Sequence, residues 1–301
     1  MALGYDKPLY ILAFDHRGSF QKKFFGVAGD PNEEETARIS DAKRVIFEGA
    51  LRALDEGASK TAAGVLVDEQ FGADIARRAK ADGLTFAMPV EKSGQDEFDF
   101  QHGDAFGEHI EDFDPTFSKV LVRYNPEGDR EMNSRQTERL RRLGEWLHER
   151  GRRFLFELLV PATPGQIEAA GGDEERWDSQ ERPTLMRAAI EELQAAGVEP
   201  DIWKIEGIDR REDCETISAT TRAGGRAGVA CVVLGRGADD AKVDHWLRMG
   251  SGVPGYIGFA IGRSIWWAPL KAFVDGNLAR EEAAKQIAAN YRRFIDVYNE
   301  G

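Results

Sequence analysis

The stretch EPDIWKIEGID, residues 199–209, sets Lys204 inside a short apolar run that otherwise reads as a buried strand. An unpaired ammonium in a strand core is costly, so the residue needs either a carboxylate partner or a chemical use. Side chains alternate along a strand, which puts Lys204 on one face with Ile202 and Glu206 while Trp203 and Ile205 point the other way. What each face meets depends on the fold, and the fold is read from the runs on either side.

Seven further runs share this character: 9–15, 63–68, 84–90, 118–124, 153–160, 229–235 and 255–262, with 201–207 as the sixth of eight in chain order. Between and after them, amphipathic segments predict helices near 38–56, 71–82, 104–112, 133–150, 182–196, 210–223, 239–249, 264–275 and 280–298. Strands alternating with helices point to a parallel sheet covered by helices. Eight such pairs in 301 residues fit an α/β fold of the (β/α)8 barrel type, in a single domain spanning 1–301. A doubly wound sheet is the alternative, but no Gly-rich dinucleotide fingerprint follows the first strand. The stretches at 91–104 and 161–180 are then loops on the active face.

Bulk properties narrow the function classes. A formal charge of −13 argues against a nucleic-acid surface, and 42% hydrophobic residues suffice for a large core. Cys214 and Cys231 are too few for a disulfide framework and lack metal-ligand spacing, so a reducing, cytoplasmic setting is expected. Neither a membrane-spanning run nor a signal-peptide pattern is visible, so no membrane partner is expected.

A barrel turns Lys204 inward. Burial or a nearby cation lowers an amine's pKa and yields a nucleophile able to form a Schiff base; the plainer reading is a structural ion pair. Of twelve lysines, only Lys119 and Lys204 fall within the expected strands, the fourth and the sixth. Alternate strands feed the same interior layer, so the two amines can approach one another. Glu157, in the apolar fifth strand, can move protons or pair with either lysine. Asp15, with His16 and Arg17 just after it, closes the first strand as a substrate-binding or proton-taking acid. Asp68 and Glu69 close the second as substrate ligands or as caps of the next helix. Arg123 closes the fourth. Gly-Arg pairs end the last two strands, and Gly235, Arg236, Gly262, Arg263 and Ser264 form an expected phosphate site at helix N-termini. A competing metal set, His102, Asp104, Glu108 and His109, has suitable residue types but unconvincing spacing, and no metal is expected.

The segments LYILAFDHRGSFQKKFFG, GVLVDEQFGA, AMPVEKSGQDEFDF, KVLVRYNPEGD, FLFELLVPATP, DIWKIEG, LGRGADDAKV and GFAIGRSIWW resemble the bacterial 2-deoxy-5-keto-D-gluconate 6-phosphate aldolase family of inositol catabolism, nearly end to end. More distantly, the acids and lysines on strands one, four, five and six are similar to those of class I tagatose-bisphosphate and sulfofructose-phosphate aldolases. The resemblance implies a (β/α)8 barrel with a Schiff-base lysine, which falls on Lys204, with Glu157 as proton shuttle and Lys119 and Asp15 in support. It also implies phosphate at the Gly-Arg turns and cleavage to dihydroxyacetone phosphate and malonate semialdehyde. The expected partner is a phosphorylated ketose or keto sugar acid, the expected assembly a homo-oligomer, and no cofactor is required. A metal-dependent lyase and a non-catalytic sugar-phosphate-binding barrel are the other readings.

Overall fold

The computed structural model describes residues 2–301. Its strands are β1 (Leu9–Ala13), β2 (Ala63–Leu66), β3 (Thr85–Pro89), β4 (Phe117–Arg123), β5 (Arg153–Leu159), β6 (Ile202–Glu206), β7 (Ala230–Leu234) and β8 (Tyr256–Ile261). They pair in chain order, all parallel, and β8 returns to β1 to close the barrel. The helices are α1 (Gly18–Phe25), α2 (Glu33–Asp55), α3 (Glu69–Ala81), α4 (Phe106–Phe113), α5 (Arg130–Glu149), α6 (Pro164–Ala169), α7 (Glu174–Gln180), α8 (Arg182–Ala195), α9 (Arg211–Arg222), α10 (Asp240–Gly250), α11 (Arg263–Val274) and α12 (Arg280–Glu300).

Each expected strand is present. The 161–180 stretch, expected as loop, instead folds into α6 and α7. Thr163 and Asp173 supply the reason, because each caps its helix by accepting a bond from a first-turn N–H, and the Thr163 backbone N–H donates in return to the Gln166 side chain. Asn32, Asp68, Asp129 and Asp239 cap α2, α3, α5 and α10 in the same manner. The sequence expectation also missed α1.

Two apolar clusters divide the work. Leu9, Ile11, Leu66, Phe117, Leu155, Ile202 and Val232 fill the barrel interior, with Tyr5 packed against them. Trp203, Ile205, Phe156 and Phe259 point outward into the larger cluster shared with the helices. At the amino-terminal end, the buried Asp201 carboxylate accepts from the N–H groups of Gly4 and Phe154, both at 2.8 Å, and so holds the leading segment against β5 and β6. Both cysteines are buried free thiols. No helix among the described residues is long and apolar enough to cross a membrane.

Barrel closure brings a glycine of β8 hard against the backbone of β1. Between β7 and β8 the register shifts at Cys231/Val232, and Gly258 follows at φ 151, a backbone region essentially restricted to glycine. A Cβ there would collide with the carbonyl oxygen of Leu9 on β1. Gly258→Ala is therefore expected to destabilise the fold by roughly 2–4 kcal/mol in urea unfolding, through strain plus backbone displacement. Gly165→Ala, a helical site with open space around it, serves as control and should be neutral or slightly stabilising. Equal behaviour of the two variants would show that β1 and β8 do not need the close approach.

Candidate active site

At the carboxyl end of the barrel a cavity of about 520 Å³ is lined by Asp15, Arg17, Glu91, Lys119, Glu157, Lys204 and Glu206 from the strands and their immediate extensions, with Arg123, Arg236 and Arg263 at the rim. The ladder explains the meeting of residues so far apart. Lys119 pairs with Leu155 and Leu155 with Ile202, so Lys204 lies two residues beyond the laddered neighbour of Lys119. Strand tilt in such a barrel displaces residues of equal height by roughly one position per strand, which restores the two lysines to one level. Glu157, the direct ladder partner of Lys204, sits between them.

The two amines differ in their surroundings. Lys119 Nζ lies 2.8 Å from Asp15 Oδ2, 2.8 Å from Glu91 Oε1 and 3.0 Å from Glu157 Oε2. Although burial opposes its charge, these carboxylates raise its pKa well above that of an ordinary lysine. Lys119 is a fixed cation. Among the described residues Lys204 Nζ has a single carboxylate in ion-pair contact, Glu157 Oε2 at 3.0 Å, which it shares with Lys119. Burial pushes the Glu157 carboxyl up, but Lys119 and Lys204 outweigh it and hold the pKa below the usual range. Asp15 is likewise pushed up by burial and pulled further down by Lys119 and Lys204. Glu91 goes the other way: burial raises it against the pull of Lys119 and Arg17. The Arg17 guanidinium donates to the Glu91 carbonyl at 2.6 Å and is 3.7 Å from its carboxylate. Three buried cations thus face three carboxylates.

Glu91 was not among the residues expected from sequence, although an acid two residues past a strand end is the same signal that singled out Asp15 and Asp68. Lys43 was missed as well. Its ammonium donates to the carbonyls of Phe14 and His16 and pairs with Asp68, so α2 clamps the end of β1 on which Asp15 stands. Its position in DAKRVIF, on the stripe with buried Ile39 and Ile46, was the available signal. Beside it, burial pushes the His16 imidazole down to about 4, so that ring is neutral at neutral pH.

Some expected roles need correction. Asp68 does not line the cavity; it caps α3 through the Phe71 N–H at 3.0 Å and neutralises Lys43. Glu69 also lies outside the cavity, because the helix that starts there carries its side chain toward α4. Arg123 lines the cavity while donating to the Gln95 carbonyl at 2.8 Å. Of the metal set, Asp104 pairs with Arg142 at 2.9 Å and Glu108 is exposed, so these two do not join His102 and His109.

At the two Gly-Arg turns, Gly235, Arg236, Gly262 and Arg263 line the cavity, whereas Ser264 does not and donates to the Ala238 carbonyl at 3.1 Å. Arg236 is not a free cation. Its guanidinium is 2.7 Å from Asp178 on α7 and 3.1 Å from Glu206, whose own carboxyl is pushed up by burial against Arg182 and Arg236. Its backbone sits at φ 51, a left-handed geometry costing roughly 1–2 kcal/mol outside glycine. Arg263 has no carboxylate partner among the described residues, and its guanidinium packs flat over Gly237, where a Cβ would overlap it, while donating to the Arg236 carbonyl at 2.6 Å.

Fold and mouth together define a (β/α)8 barrel with a buried lysine and carboxylate array at its carboxyl end. The chain belongs to the family described as "Uncharacterized protein conserved in bacteria (DUF2090)", which matches residues 4–301. No curated protein matches the sequence. Among solved structures, Cgl0159 from Corynebacterium glutamicum is similar at 18% identity and TM-score 0.60, covering 97% of this chain and 88% of its own. A Schiff base forming fructose-1,6-bisphosphate aldolase is similar at 13% identity and TM-score 0.55, covering 95% and 94%. At these identities the likeness is one of fold.

Lys119→Met removes the ammonium that three carboxylates share, and stranding them is expected to cost about 3–5 kcal/mol at neutral pH. In the wild type, Asp15 and Glu157 have lowered pKa values, so their stabilisation is present above pH ~4 and is lost as pH falls. In the variant, burial acts with less opposition and these acids titrate higher. Their contribution is then retained at low pH and lost as pH rises. The stability deficit against wild type, from urea unfolding, should therefore shrink between pH 7.5 and pH 5. A deficit independent of pH would mean that Lys119 only fills space.

Proposed function

We propose that the protein is a class I aldolase in which Lys204 forms a Schiff base with the ketone of a phosphorylated ketose or keto sugar acid. The observation that carries this reading is the asymmetry of the two amines: Lys119 is locked as a cation by three carboxylates, while Lys204 touches one, Glu157, at 3.0 Å. Glu157 is a carboxylate at neutral pH and is placed to accept the proton that Lys204 must lose.

The free amine adds to the ketone carbon. Glu157, now a carboxylic acid, protonates the carbinolamine hydroxyl, which leaves as water and creates an iminium ion. That cation is the electron sink. Glu157, a carboxylate again after the dehydration, takes the proton from the hydroxyl β to the iminium carbon, the C–C bond breaks, an aldehyde departs, and the electron pair is stored as an enamine. Glu157 returns a proton to the enamine carbon, and water releases the ketone product from Lys204. Lys119, permanently charged, keeps Glu157 and Asp15 ionised between these transfers.

Similarity of fold to a protein described as a Schiff base forming fructose-1,6-bisphosphate aldolase supports the reaction class. For the substrate, the near end-to-end sequence resemblance favours 2-deoxy-5-keto-D-gluconate 6-phosphate, cleaved to dihydroxyacetone phosphate and malonate semialdehyde. The phosphate falls to Arg263 and the Gly235–Gly237 and Gly262 backbone, because Arg236 is already balanced by Asp178 and Glu206.

Borohydride added with dihydroxyacetone phosphate is expected to leave a covalent adduct on Lys204, located by peptide mass analysis. Lys204→Met should remove adduct and turnover together, and Glu157→Gln should lower turnover by roughly 10²–10⁴-fold. An adduct on Lys119 would exchange the roles of the amines; none at all would end the Schiff-base reading.

A separate measurement concerns the phosphate. Arg263→Ala should weaken phosphorylated ketoses by about 10- to 150-fold, the worth of one charge-assisted hydrogen bond, with little effect on unphosphorylated analogues. Equal losses toward both would remove Arg263 from phosphate recognition.

A further inference from the structure

Beside the barrel mouth, three side chains from separate elements turn their donor atoms toward one another. Glu69 opens α3, His102 ends the segment that leaves β3, and His109 lies on α4. His102 Nε2 is 3.6 Å from Glu69 Oε1 and His109 Nε2 is 3.9 Å from Glu69 Oε2, and all three donor atoms lie within 4.8 Å of one another. The imidazoles are close to stacked, with centroids 4.0 Å apart and an interplanar angle of 30°. Neither Glu69 Oε2 nor His109 Nε2 has a hydrogen-bond partner among the described residues, although both atoms are buried. A carboxylate and a ring nitrogen shielded from water and left without partners are each destabilising, unless something between them satisfies both.

We infer that Glu69, His102 and His109 form a binding site for a borderline divalent cation of the zinc type, distinct from the aldolase mouth, which staples the 91–102 segment to α3 and α4. Two imidazoles and one carboxylate suit zinc, cobalt or nickel, whereas magnesium and calcium prefer oxygen ligands throughout. Ligands on a tetrahedral zinc with bonds of about 2.0–2.1 Å stand roughly 3.3 Å apart, so small rotamer adjustments close the observed separations. The three side chains supply three of four positions, and water supplies the fourth. Metal binding takes both imidazoles in their neutral form, so Glu69 supplies the negative charge opposite the ion.

The position gives the ion a structural consequence. The segment it pins contains Glu91, one of the three carboxylates on Lys119, and Gln101, whose side chain accepts from Arg17 at 3.5 Å. Glu91 and Phe100 already bridge to each other across this segment. At the far end of the segment, the His102 side chain meets Glu69 only at 3.6 Å. None of the three ligands lines the catalytic cavity, so the ion has no part in the Schiff-base chemistry proposed above.

The test uses the full chain without an affinity tag, treated with chelator and dialysed, then titrated with zinc chloride by calorimetry and with cobalt(II) chloride by visible absorption. One ion per chain is expected, bound at micromolar concentration or below. His102→Ala and Glu69→Gln should each weaken zinc by at least about 10-fold, equivalent to about 1.4 kcal/mol. His102 is 39% exposed, so its truncation leaves the fold intact, as melting without metal will register. Zinc should also slow tryptic cleavage after exposed Lys92 in the wild type and not in His102→Ala. Absence of binding, or variants that bind zinc as the wild type does, would overturn the site. Binding without protection of Lys92 would overturn the staple. Borohydride trapping on Lys204 is read separately, so failure of either proposal leaves the other standing.

Discussion

Acids from three strand ends converge on the ammonium of Lys119, and the arrangement of the mouth depends on that meeting. Asp15 arrives from β1, Glu91 from just beyond β3 and Glu157 from β5, each within 3.0 Å of Nζ. Gathering three carboxylates at the largely buried floor of a cavity is costly without an opposing charge, and one ammonium does not balance three. Lys204 and Arg17 complete the balance, the first on Glu157 and the second on Glu91. The cluster is therefore indivisible: each member's ionisation depends on the others, and the barrel supplies the geometry that no local segment could.

Below this layer the interior is apolar, with Phe117, Leu155, Ile202 and Val232 packed together in one buried cluster. Polar chemistry is thus confined to the carboxyl end, where loops can reach it. A second buried pair, Lys43 with Asp68, stands behind the mouth rather than in it and fixes the end of β1 by holding the Phe14 and His16 carbonyls. Asp15 is aimed at Lys119 by this clamp from behind. Helix α2 thereby takes part in the site without touching the cavity.

The opposite wall carries a different kind of charge. Arg236 is spent on Asp178 and Glu206, which ties α7 to the turn after β7. Arg263, lying over Gly237 with no carboxylate partner among the described residues, keeps its charge available. The two arginines look equivalent in sequence, yet one acts as a strut while the other stands at the rim without a carboxylate partner among the described residues. A chain of net charge −13 repels anions at long range, so an uncommitted guanidinium at the rim counts for more here than it would on a basic protein.

What the sequence determined by itself was the barrel and its inward-facing strand residues. Apolar runs of strand length alternating with amphipathic helices leave few architectures, and the two-residue side-chain period then settles that Lys119, Glu157 and Lys204 share the interior while Trp203 and Ile205 face the helices. Loop-borne partners followed no such period. Glu91 reaches Lys119 across 28 residues and Asp178 reaches Arg236 across 58, and nothing in either local stretch encodes the encounter. The same holds for Glu69 beside His102 and His109: the two histidines were visible as candidates, but their carboxylate partner stood more than thirty positions earlier in the chain, at the start of another helix. Strand tilt, loop closure and helix packing decided those contacts, because they set distances between segments whose sequences constrain only their own backbone.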